Sequence, residues 1–199
     1  RQDCSARRTR GVSGAVLTNG LPRQPRLFHK LSAYIQQEDL LQPRLTALEA
    51  LQVAADLKLG RELTAPQRAA AVEELLGCMS LKECCDTRTE RLSGGQRKRL
   101  SVALELVNNP PVIFLDEPTT GLDVVTMKKC IMFLKTLARQ GRTIVCTVHQ
   151  PSSSLFRQFD NVLVLARGRC VYHGSPGHVV HFLEAVDLPC PTSHNPADF

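Results

Sequence analysis

Four apolar residues in a row, Val112-Ile113-Phe114-Leu115, run directly into Asp116-Glu117. A segment apolar on both faces suits a central parallel strand, covered on either side. This constrains the chain most, because helices have to do the covering. Before it, Leu100, Ala103, Leu104 and Val107 recur at helical spacing until Asn108-Asn109-Pro110-Pro111 breaks the pattern. After it, the pattern predicts a helix near Val124 to Arg139, a strand over Thr143 to Val148 and a short helix near Ser153 to Phe159. A strand over Val162 to Ala166 turns at Gly168 into Cys170-Val171-Tyr172, expected as a hairpin at the sheet edge. A last helix is expected over roughly Gly177 to Val186.

Upstream, Gly14 to Gly20 reads as a short strand running into an Asn-Gly turn. A second strand ends at Ser32-Ala33-Tyr34-Ile35, before the polar loop Gln36-Gln37-Glu38-Asp39. Thr46-Ala47-Leu48-Glu49 has the form of a capping box, opening a helix that Gly60 stops after Leu59. A further helix is expected near Gln67 to Met79. Strands alternating with helices predict an α/β core, with an all-helical insert between Gln37 and Ser93.

The 199 residues, 43% apolar, suffice for one domain or a large part of one. The net charge of +6 is spread along the sequence apart from a run at Arg1 to Arg10, which favours a solvated surface over a nucleic-acid partner. Eight cysteines, several inside apolar stretches, fit buried free thiols in a reducing compartment better than a disulfide scaffold. Cys84-Cys85 reads as a loop detail. No apolar run approaches the roughly 18 residues needed to span a bilayer. With no secretory signal and no initiating methionine, the chain reads as a piece of something longer.

Chemistry gathers in two places. Ser93-Gly94-Gly95, followed by Gln96, lies just before a helix. There the first N–H groups are unpaired and the helix dipole is positive, so glycines let a phosphate approach and Ser93 adds a donor. Asp116 and Glu117 close the central strand, at the edge where open α/β sheets bind ligands. Neighbours on a strand point to opposite sides, so the two acids can divide the work. Asp116 suits holding Mg²⁺ through water, and Glu117 suits polarising the water that attacks the γ-phosphate of ATP. His149, expected to end the next strand, falls on the same edge, where it could contact γ-phosphate oxygens. Gln37 offers an amide that can reach Mg²⁺ or the attacking water, and Asp123, past a glycine turn, suits a bridge to a partner subunit. The remaining histidines, including His178 and His181 near Cys170 and His173, show no convincing metal spacing.

Leu92-Ser93-Gly94-Gly95-Gln96-Arg97-Lys98-Arg99 and Val112 to Asp123 resemble the signature motif and Walker B of ABC-type ATPases. Tyr34-Ile35-Gln36-Gln37, Glu105 to Pro111, Thr147-Val148-His149-Gln150-Pro151 and Asn195 to Phe199 extend the likeness to the nucleotide-binding domain of a G-subfamily, White-type half-transporter. In texture the chain is similar to sterol- and phospholipid-exporting members. The resemblance implies a P-loop NTPase (RecA-like) fold with ATP and Mg²⁺ as cofactors. One incomplete domain would fill residues 1–199, with a helical subdomain near 40–100 and the N-terminal part missing. Two such domains, in a homo- or heterodimer, would stack head to tail around two ATP molecules. Ser93, Gly94, Gly95 and Gln96 would then clamp the nucleotide held mainly by the partner. Glu117 would be the base, Asp116 the Mg²⁺ residue, His149 the switch and Gln37 the Q-loop glutamine. The membrane helices would lie beyond Phe199, with this domain on the cytoplasmic face and no nucleic-acid partner.

The 199 residues contain no Gly-x-x-x-x-Gly-Lys-Ser/Thr, the loop that cradles phosphates and supplies their lysine. Arg1 to Arg7 stand where that resemblance would put it. This polypeptide alone is therefore expected neither to bind ATP tightly nor to turn it over. One rival reading is a non-enzymatic half-site that acts only with a complete partner. Another, a soluble ABC-type ATPase acting on nucleic acid or ribosomes, fits poorly with the compact insert between Gln37 and Ser93.

Overall fold

Asn19 and Gly20 both adopt left-handed backbone, φ 51° and 78°, and this folds Leu17–Thr18 (β1) straight back onto Leu21–Pro22 (β2). Positive φ at both central residues gives the turn the twist that two antiparallel strands need. The computed structural model describes residues 13–60, 63–191 and 195–196. Cys4, the basic run at Arg1 to Arg10, His194 and the closing Ala197 to Phe199 lie outside the described residues.

The helix Pro25–Leu31 (α1) is not anticipated by the sequence pattern, and it buries none of its residues fully. Proline at its start supplies the fixed φ of a first turn. Its Phe28 ring lies 6.2 Å from that of Phe114, so α1 leans on one face of the main sheet. That sheet holds Ser32–Ile35 (β3), Val112–Leu115 (β4) and Thr143–Cys146 (β5), all parallel, with β4 in the middle. Ile35, Leu115 and Cys146 share one register level. The chain therefore leaves all three strands at the same edge, through Gln36, Asp116 and Thr147.

The insert is helical, as expected. Thr46 and Glu49 form the reciprocal capping box at the head of Ala47–Leu59 (α2), and Gly60 closes the helix with φ 58°. A second box, Thr64 with Gln67, opens Ala65–Cys78 (α3) two residues before the predicted start. Two 3₁₀ turns, Lys82–Cys84 and Thr89–Arg91, lead to Gly94–Leu106 (α4). Leu51, Leu76, Met79, Leu81 and Leu100 are almost wholly withdrawn from solvent, and one apolar cluster runs from them to Ile113 of β4.

Val124–Arg139 (α5) matches the prediction and turns Cys130, Ile131, Leu134 and Leu137 inward at the spacing of one helical stripe. Beyond β5 come a short helix, Ser153–Phe156 (α6), and the strands Val162–Ala166 (β6) and Arg169–Gly174 (β7). Pro176–His178 forms a 3₁₀ turn into Val179–Ala185 (α7), whose Phe182 packs 5.1 Å from Tyr172.

Three expectations need correction. The β6–β7 hairpin forms a sheet of its own; among the described residues it does not pair with the edge of the main sheet. β5 stops at Cys146 rather than Val148: its last ladder bond runs from Thr147 N to Leu115 O at 3.0 Å, and β4 has by then ended at Leu115 and turns off at Glu117, φ 43°. Finally, only Cys84 and Cys130 of the seven described thiols are buried, while Cys78 and Cys170 are exposed.

Candidate functional site

The common edge of β3, β4 and β5 collects the acids and their partners. Asp116 still receives a ladder bond, its N–H donating to Ile35 O at 2.9 Å. Glu117 leaves the strand in left-handed backbone, φ 43°. This turn, and not strand alternation, separates the two carboxylates, since β4 has already ended at Leu115.

Each acid has its own set of donors. Thr147 Oγ1 donates to Asp116 Oδ1 at 2.7 Å, and Tyr34 Oη donates to Oδ2 at 3.1 Å. Gln37 Nε2 donates to Glu117 Oε2 at 3.0 Å, and Thr120 Oγ1 donates to the same oxygen at 2.8 Å. Thr147 joins the two, because its hydroxyl also accepts the Glu117 N–H at 2.9 Å. The hydrogen bond to Asp116, reinforced by the negative charge there, raises the Tyr34 phenol above its ordinary value.

Gln37 and Glu117 come from segments 80 residues apart, so parallel pairing of β3 with β4 is what makes them neighbours. The sequence motifs that contain Tyr34, Thr120 and Thr147 give these residues no role at the site. Tyr34 faces Phe114 in the register, two residues short of Asp116, and only that pairing reveals it. His149 lies three residues past the end of β5, exposed, with no hydrogen bond to the acids among the described residues.

The second group of predicted residues sits where α4 and α5 begin side by side. Ser93 caps α4: its Oγ accepts from Gln96 N at 3.3 Å, and Gln96 Oε1 accepts from Ser93 N at 2.8 Å. Gln96 is thus committed to holding the cap. The two glycines differ. A Cβ on Gly95 would fall 2.4 Å from Thr126 Cγ2 of α5, so its bare backbone allows the two helices to meet. A Cβ on Gly94 would meet only Leu122, at 3.9 Å, and leaves that N–H end open. Asp123 caps α5, accepting from Val125 N and Thr126 N, each at 3.0 Å. The Thr126 side chain, with those amides, holds its carboxyl below the usual value of 3.8.

The half-buried Asp116 carboxylate, whose oxygens already accept from Thr147 and Tyr34, fits a hard cation that keeps much of its water. Among the described residues no three His, Cys, Asp or Glu side chains form a metal cage. Such a partial ligand set suits Mg²⁺ carried with a phosphate, which takes one or two carboxylates from the protein.

Comparison with known proteins shows the family of the chain. The family model described as ABC transporter matches residues 4–120, and one described as ABC-2 type transporter matches residues 149–199. The chain is 44% identical over 194 residues to the protein scarlet of Drosophila melanogaster, covering 94% of this chain and 29% of that protein. With the human ATP-binding cassette sub-family G member 8 the identity is 39% over 192 residues, covering 94% of this chain and 28% of that protein. The chain thus spans under a third of the length of these relatives. A solved dimeric ATP-binding cassette, in a post-hydrolysis state bound to ADP and Pi, superposes with a TM-score of 0.65 at 26% identity. That alignment covers 80% of this chain and 72% of the other.

Proposed function

Because this chain belongs to the ABC transporter family, as an ATP-binding cassette of the sub-family G type, we propose that it couples ATP hydrolysis to lipid or sterol export by a membrane transporter. The observation that carries this is the pair of acids at one sheet edge, each with separate donors and Gln37 on Glu117. Lipid as cargo rests on the textural likeness alone. Among the described residues no helix is long and apolar enough to cross a membrane.

Asp116 would hold Mg²⁺ through water, and Gln37 would offer its amide oxygen to the same ion. Bound there, the ion neutralises charge on the phosphates. Glu117 accepts the proton of the attacking water, and Gln37 fixes the direction of that carboxylate. Ser93, Gly94 and Gly95 present a capped helix start to the phosphate of a nucleotide held by a second domain, while Gln96 keeps the cap closed and Asp123 shapes the neighbouring turn. His149, exposed near the same edge, suits contact with the terminal phosphate. The solved cassette that this chain resembles is a dimer with ADP and Pi, which supports a paired arrangement here.

With no Gly-x-x-x-x-Gly-Lys-Ser/Thr among its 199 residues, the polypeptide by itself would bind ATP weakly and turn over none. Titration with labelled ATP tests this; micromolar affinity together with Mg²⁺-dependent hydrolysis would sink it. In the full-length protein, ATP hydrolysis that disappears in Glu117→Gln supports the main reading. Hydrolysis unchanged by that substitution overturns it.

A further inference from the structure

Lys98 is the one buried charge of α4, with 4% of the residue exposed. Its ammonium turns toward the loop that follows β3. Nζ donates to Gln37 O at 3.0 Å and to Gln36 O at 3.2 Å, and it lies 3.4 Å from Asp39 Oδ1. Two hydrogen bonds and one ion pair thus hold the ammonium, all from one loop of four residues. Ser101, one turn further along α4, donates to the same Asp39 oxygen at 2.9 Å. The loop is thereby fastened to the helix that begins at Ser93.

An ammonium withdrawn from water is costly unless it is fully paired. The loop therefore cannot leave α4 without stranding the charge. Gln37, whose carbonyl is held, is the residue whose amide reaches Glu117 at 3.0 Å. A continuous path runs from the helix through Lys98 and the Gln37 backbone to the Glu117 carboxylate. Arginine does not reproduce it, since a longer planar fork cannot place one nitrogen between the Gln36 and Gln37 carbonyls and the Asp39 carboxylate as a compact ammonium does.

We infer that Lys98 is a positioning residue for hydrolysis: it makes the Gln37 loop travel with α4, so that any shift of the helix moves the Gln37 amide relative to Glu117. This rests on the reading of Glu117 as the base.

The test uses the native full-length protein. Lys98→Met is expected to lower kcat for ATP hydrolysis roughly 10- to 100-fold, the scale of a catalytic group misplaced by about 1 Å. KM for ATP should stay within about twofold, since the nucleotide is not what Lys98 holds. Adding Lys98→Met to Gln37→Ala should cost nothing further, because both cut the same path. Lys98→Arg, which keeps the charge and is the safer variant to fold, should also lower kcat. Independently of activity, a glutamyl endopeptidase should cut after Glu38 about tenfold faster in Lys98→Met, with cutting after Glu49 unchanged. Additive losses in the double variant, or an unchanged rate of cutting after Glu38, overturn the inference. If hydrolysis proves insensitive to Glu117→Gln, the functional reading fails, and the proteolysis still decides whether Lys98 holds the loop.

Discussion

Gly95 and Thr126 are in direct opposition: a single added carbon on Gly95 would lie 2.4 Å from the Thr126 methyl. Gly95→Ala forces the Thr126 side chain or the two helices to shift, and overpacking of this kind costs about 1–3 kcal/mol. Gly94→Ala has 3.9 Å of room and should leave the melting temperature nearly unchanged. Thr126→Ser, which removes the methyl but keeps the hydroxyl, should restore much of what Gly95→Ala loses. Thermal melts of Gly95→Ala, Gly94→Ala and the Gly95→Ala/Thr126→Ser double variant check this, and equal losses at the two glycines would contradict it.

Asp123 gives the fold an acid-sensitive joint. Its carboxyl is held below 3.8 by Thr126 and the first amides of α5, so the charged form belongs to the folded state. A depressed folded value means the contribution is present above pH 3.8 and is lost as pH falls through the lower folded value. Wild type should therefore melt above Asp123→Ala at neutral pH, with the gap narrowing below about pH 4. A gap of constant size from pH 7 to 3 would show that the charge of Asp123 does not contribute.

Burial pushes the thiols of Cys130 and Cys146 up to about 11. Both stay neutral in the folded chain at pH values where an unfolded thiol, near 9, begins to ionise. Stability from this source is complete below pH 9 and declines as pH rises toward 11. At pH 8, a thiol reagent should modify the exposed Cys78 and Cys170 quickly, the half-buried Cys146 more slowly, and the buried Cys84 and Cys130 last, as the chain unfolds. Mass spectrometry of partly labelled protein reads the order directly.

Much of this architecture is legible in the residues themselves. The unbroken apolar run Val112–Leu115 identifies the middle strand, and the Thr46–Glu49 box locates the head of α2. α1 escapes because it is seven residues long and buries none of them fully, which leaves little apolar stripe to read. Lys98 escapes for another reason. In a run of Arg97-Lys98-Arg99 a charge reads as surface, and only the meeting of α4 with the β3 loop takes it out of water. Tyr34 and Thr147 belong to the site through sheet register, which no local pattern encodes.

Ser93 allows a sharper test of the helix start. Its cap and the reciprocal bond from Gln96 satisfy two donors of α4. Ser93→Ala should destabilise the chain by about 1 kcal/mol, while Ser93→Asp, an equally good cap, should not. The aspartate would place a negative charge where a phosphate is proposed to approach. In the full-length protein it should lower hydrolysis more than alanine does while melting higher. A Ser93→Asp protein as active as wild type would remove phosphate binding from this helix start.

Glu117 occupies a backbone region that suits glycine, with φ 43° on a residue that carries a side chain. Left-handed backbone costs a non-glycine residue about 1–2 kcal/mol. Glycine here would relax the turn and surrender the carboxylate together with its bonds to Gln37 and Thr120. A screen for thermal robustness alone would be drawn toward that replacement. The position proposed for the base is one where selection for rigidity and selection for turnover pull in opposite directions.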